Sequence, residues 1–139
     1  MSTDLLSLTA QAPAAIPIED AIRSARECIR RFTSAFNRCD VDAMDRELHF
    51  PHVLLSRGDP VVWATPGQHP PIFFVELRDT GWVRTECLQV DPLLAHSDKV
   101  HFLVVYERRA AGDTVVSAHE NVWVVTHAHQ RWGIALRSY

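Results

Sequence analysis

An α+β fold, with a curved antiparallel sheet wrapped around a long N-terminal helix, is predicted by three features of this 139-residue sequence. The first is a single apolar helical stripe: Ile18, Ile22, Ala25, Ile29, Phe32 and Phe36 recur at steps of three and four. The second is a Pro/Gly-punctuated middle, Gly58-Asp59-Pro60 to Pro70-Pro71, which turns one short strand back on another and leads into a short helix. The third is a succession of β-rich segments after Gly81, joined by loops too short for anything but an antiparallel meander.

The elements follow in order. Residues 1–16 are small, polar and Pro-containing, and are expected to form a mobile arm before one domain over residues 17–139. The first helix begins near Pro17, with Glu19 and Asp20 placed to suit its dipole, and ends around Asn37-Arg38-Cys39. Asp40 is a good N-cap for a second helix running through Leu48. Pro51 holds Phe50 extended, and a strand is expected over His52–Arg57 with a short return over Val61–Ala64. A third helix fits Pro71–Asp79. The remaining strands are expected at Trp82–Asp91, broken by Pro92 and extended to Ala95, then Val100–Arg109, Thr114–Thr126 and Arg131–Ser138, about six strands in all. The Val-rich strands are apolar on both faces, so a homodimer through the outer sheet face is expected.

Composition narrows the function classes. With 47% hydrophobic and 22% charged residues, the chain reads as an ordinary globular protein. A net charge of -3 and scattered aromatic residues argue against nucleic acid and anionic membrane surfaces as partners. The N-terminus lacks a basic, then apolar, leader and no stretch is apolar enough to span a bilayer, so a cytoplasmic location is expected. Cys28 and Cys39 would lie roughly 16 Å apart along one helix, beyond disulfide reach, and the odd count of three cysteines suits reduced thiols. His127 and His129 lack an acidic or thiol companion, so neither metal nor cofactor is expected. Gly-rich phosphate loops and nucleophile elbows are absent from the sequence.

Two stretches carry a resemblance. FTSAFNRCDVDAM resembles the helix end that recurs in the NTF2-like, or cystatin-like, superfamily. NVWVVTHAHQRWGIALRS resembles that superfamily's last hairpin. Over about residues 18–138 the chain is similar to its SnoaL-like and ketosteroid-isomerase-like branch. The resemblance implies a cone-shaped sheet around the first helix, with two shorter helices and a pocket at the mouth. It also marks departures. Ketosteroid isomerases place a tyrosine hydroxyl where this chain has Phe32, and an acidic base where it offers only Asp59 in a turn, which disfavours steroid-type isomerisation. The kinase association domains of the superfamily imply that Asn121 and Arg137 face the pocket.

Pairing Arg109 with Thr114 across the hairpin puts Phe102, Val104, Tyr106, Arg108, His119, Asn121 and Trp123 on one face. An odd-length loop at His127–Gln130 keeps Arg137 on that face, and an even one moves it to the face of Glu120. The expected site is a mostly apolar pocket of Phe36, Trp63, Phe74, Trp82 and Trp123 with Tyr106, Asn121 and Arg137 as polar groups, and with His52 and His119 as candidate acid–base residues. It would take a small-molecule ligand. Two readings stay open: a lyase, isomerase or cyclase acting on an apolar carbonyl compound, and a non-catalytic ligand-binding, dimerisation or interaction module on the same fold.

Overall fold

The computed structural model describes residues 4–10 and 16–139. The arm expected over residues 1–16 falls partly on residues 1–3 and 11–15, outside those described. Within it, α1 (Leu5–Thr9) is a short helix capped by the Asp4 carboxylate, which accepts from the Leu6 backbone N–H.

Helix α2 (Ile18–Asn37) is the body on which the sheet packs. Its buried face is Ala21, Ala25, Cys28, Ile29, Phe32 and Ala35, so the stripe is rotated toward small residues and leaves Ile18 exposed. Small side chains at Ala21, Ala25 and Cys28 let sheet side chains approach the helix closely. The helix ends in a Schellman motif. Cys39 turns to φ 56°, its N–H donates to Phe36 O at 2.9 Å, and the Asp40 N–H donates to Ala35 O at 3.0 Å. Asp40 then caps α3 (Val41–Arg46) by accepting from the Ala43 N–H. The second helix therefore stops short of the expected Leu48, which already belongs to β1 (Leu48–Leu55). β2 (Val61–Trp63) returns antiparallel to β1, and α4 (Phe73–Asp79) follows.

Strands β3 (Trp82–His96), β4 (Lys99–Ala110), β5 (Val115–Ala128) and β6 (Arg131–Ser138) form the meander, and β1 joins β6 in parallel. The order is β2-β1-β6-β5-β4-β3. This corrects the expected cone: the six-stranded sheet is open and not strongly curled. Its edges, β2 and β3, are at opposite ends of the order and share no ladder, and three-residue β2 offers little backbone with which to close one. Pro92 does not break β3 as expected, because β3 is an edge strand and a missing N–H there costs no ladder bond on its free side.

The β4–β5 register runs Phe102↔Trp123, Val104↔Asn121 and Tyr106↔His119. That is two residues from the register expected from Arg109 and Thr114, and a two-residue shift preserves the faces. Phe102, Val104, Tyr106, Asn121 and Trp123 are all buried on the α2 side, while Leu103, Val105, Val122 and Val124 alternate outward and are half-buried. The described residues contain no helix long and apolar enough to cross a membrane.

Candidate ligand-binding site

Arg137 reaches the α2 side of the sheet because of an irregularity in β6. The β5–β6 turn is the two-residue pair His129–Gln130, both at positive φ, closed by Ala128↔Arg131. An even turn alone would put Arg137 on the outer face. The pairing then slips between Val125↔Ile134 and Val124↔Leu136, so that Ala135 is an extra residue. The bulge restores Arg137 opposite Trp123, and both Ile134 and Arg137 point inward.

The side chain of Arg137 is 5% exposed. Its Nε donates to His52 Nε2 at 3.0 Å. Its guanidinium carbon lies 4.9 Å from the ring centre of Phe32, 5.8 Å from Trp63 and Trp123, and 5.9 Å from Tyr139. Among the described residues no carboxylate forms an ion pair with it. His52 is fully buried and bonded at both nitrogens, since its Nδ1 also lies 2.9 Å from Ile134 O. A carbonyl takes a proton and an arginine N–H gives one, so the imidazole is neutral with the hydrogen on Nδ1. Burial, reinforced by the Arg137 charge, pushes its pKa down to about 3.

Above Arg137 lies a cavity of about 300 Å³. Phe32, Thr33 and Phe36 of α2 form one wall, and Cys87, Tyr106, Arg108 and Trp123 of β3, β4 and β5 form the opposite one. Leu54, Trp63, His69, Pro70 and Phe73 close the side toward β1, β2 and α4. Phe32 meets Trp123 edge-to-face at 5.5 Å, and Phe36 packs on Phe74 and Trp82 at 5.0 and 5.6 Å. The wall is thus aromatic and apolar except for a few fixed polar groups.

Of the residues singled out from the sequence, Phe36, Trp63, Tyr106, Trp123 and Arg137 line this cavity together. Phe74 and Trp82 stand behind the wall, supporting Phe36, and the Trp82 indole N–H donates to Thr85 Oγ1. Asn121 is buried beside the Tyr106 hydroxyl. His52 lies beneath Arg137. His119 stacks on Tyr106 at 4.7 Å and bonds Ser117 Oγ, away from the lining.

Sequence reasoning missed His69, Phe73, Cys87, Arg108 and Tyr139 on the wall. His69 sits in the Pro-rich connection, where no periodicity exists to orient it. Burial lowers its pKa, with Arg137 adding to the effect, so it is neutral at pH 7. Burial raises the Cys87 thiol and the Tyr106 hydroxyl, which stay protonated there. Among the described residues no cluster of three potential metal ligands occurs.

No protein-family model and no curated protein matches this sequence. Solved structures do match its fold. A protein of unknown function with a cystatin-like fold from Nostoc punctiforme superposes with a TM-score of 0.66 at 14% identity, covering 84% of this chain and 86% of that one. The fold is NTF2-like. An NTF2-like protein from Novosphingobium aromaticivorans matches with a TM-score of 0.62 at 16% identity over 97% of this chain and 88% of its own. A ketosteroid-isomerase-like protein from Erwinia carotovora matches with a TM-score of 0.56 at 16% identity over 86% and 94%. Within this fold Phe32 lies on the cavity wall without a hydroxyl, and Asp59 is exposed in the turn before β2, off the wall.

Proposed function

We propose that the protein binds a small, mainly aromatic molecule in the cavity between α2 and the sheet. One observation carries the reading: a 300 Å³ space walled by aromatic rings, with few polar groups converging on it. That volume is about twice that of an engineered apolar cavity that admits benzene, so a two-ring molecule fits. The neutral dye prodan should bind one per chain with a saturable blue shift in emission. Absence of a blue shift at any dye concentration would contradict the reading.

A catalytic reading is favoured by a different observation. Neutral His69 and protonated Tyr106 share the wall with Arg137, which makes a base and an oxyanion donor available to a carbonyl compound. Any lyase, isomerase or cyclase chemistry would fall to this set. His52 is a poor base because both its nitrogens are engaged, and His119 is off the wall. Incubation with a cyclic β,γ-enone tests this reading. Loss of any ultraviolet change on His69→Ala supports it, and an unchanged rate in that variant argues against it.

The outer sheet face belongs to the same proposal. Leu103, Val105, Val122 and Val124 form an apolar surface that a second copy would cover. Light scattering should give a mass near twice 15.8 kDa, and a monomer mass would exclude the dimer.

A further inference from the structure

Arg137 is a nearly buried cation that borders the cavity and pairs with no carboxylate among the described residues. Removing a guanidinium from water is costly unless it is paired. Here the ring faces of Phe32, Trp63, Trp123 and Tyr139 offer partial compensation. The only hydrogen-bond acceptor for it among the described residues is His52, which is neutral and occupies Nε alone. The Nη1 and Nη2 edge has no hydrogen-bond partner among those residues. The wall has a second guanidinium, Arg108, whose buried Nε has no hydrogen-bond partner among the described residues, and among those residues no acidic side chain lines it. The cavity is therefore apolar in its walls and cationic in its fixed charge.

Two explanations compete. Arg137 could be a structural residue that holds β6 to β1 through His52. That role needs one neutral hydrogen bond, which an uncharged side chain could supply without the desolvation cost. The charge itself is accounted for by a ligand that arrives with the opposite charge. With Nε held by His52, the guanidinium is fixed in rotation and presents its two Nη groups as a fork. A carboxylate matches that fork in a plane, with two parallel charge-assisted bonds. The aromatic rings of Phe32, Trp63 and Trp123 around it suit a flat ring system carrying it.

We propose that the ligand is a flat aromatic monocarboxylate whose carboxylate is bound by the Nη edge of Arg137, with His52 as the positioning residue. This rests on the reading of the cavity as a ligand site. Arg108 lies on the same wall and adds to the positive potential at the carboxylate without being required to touch it.

The test is isothermal titration with a matched pair, 2-naphthoate and 2-naphthamide, in a buffer free of carboxylate and phosphate. The two probes have nearly the same shape and differ in charge. The wild-type protein should bind 2-naphthoate at least about tenfold more tightly, because bonds to an ionised acceptor are the stronger class. Arg137→Gln should bring the two probes within about twofold of each other, chiefly by weakening 2-naphthoate. Equal or tighter binding of 2-naphthamide to the wild type would overturn the carboxylate assignment while leaving the cavity reading intact. Heat from neither probe would overturn both. The wild-type comparison decides the matter even if Arg137→Gln fails to fold, and a tenfold preference that persists in a folded Arg137→Gln would remove Arg137 from the assignment.

Discussion

Thr33→Trp is expected to weaken aromatic ligand binding by at least about 100-fold while leaving the protein folded. Thr33 faces the cavity from α2, and its hydroxyl bonds the Ile29 carbonyl and meets the Cys87 thiol at 3.5 Å. An indole at this position occupies the space a ligand ring would use. It meets open volume instead of packed core, so the usual overpacking penalty is small, and stability should stay within about 1 kcal/mol of wild type. Cys87→Phe fills the same space from β3 and should act alike. The measurement is a titration with prodan or 2-naphthoate beside a urea melt. A folded Thr33→Trp protein that binds with wild-type affinity would place the ligand elsewhere.

The second large effect is acid destabilisation through His52. Its folded pKa is about 3, against about 6.5 for an unperturbed histidine. Between those values the unfolded chain holds one proton more than the native one at this site, so stability rises with pH across the window. The contribution is complete above about pH 6.5 and is lost as pH falls toward 3, at about 1.4 kcal/mol per pH unit. Burial also lowers the pKa of His49, His69, His101 and His119, which adds in the same direction. His52→Phe isolates the effect. It should flatten the slope of unfolding free energy from pH 6.5 to 4.5. It should also cost about 2–4 kcal/mol at pH 7.5, where Ile134 O and Arg137 Nε lose their partner. Identical slopes in the two proteins would mean that His52 titrates freely when folded.

Much of the architecture was legible because it is written in local chemistry. Asp40 caps a helix wherever its carboxylate can reach the Ala43 N–H, and the Phe102–Trp123 face follows from period-two alternation that survives a two-residue register error. The stripe on α2 placed the helix but not its rotation, since Ala21 and Cys28 give weak hydropathic signals although they lie deepest. The sheet's closure was misjudged because strand count carries no information on whether the edges meet.

The cavity wall was legible in its aromatic residues and not in its polar ones. Phe36, Trp63 and Trp123 announce themselves by size. The position of Arg137 depends on one extra residue at Ala135, and a bulge in a chain of ordinary β-formers leaves no mark in composition. From sequence, His52 is recognisable only as a histidine on a strand. Its role follows from Ile134 and Arg137, each more than eighty residues away in sequence, a relation that only the parallel β1–β6 pairing creates.

The most direct test of the cavity as the ligand site is a crystal structure of the protein grown with 6-bromo-2-naphthoate. A bromine anomalous peak is expected inside the cavity between α2 and the sheet, with the naphthalene ring between Phe36, Trp63 and Trp123 and the carboxylate on Arg137. Bromine on the outer face of β4 and β5, or in the charged groove between Arg23, Arg31 and Arg131 with the cavity empty, would contradict it.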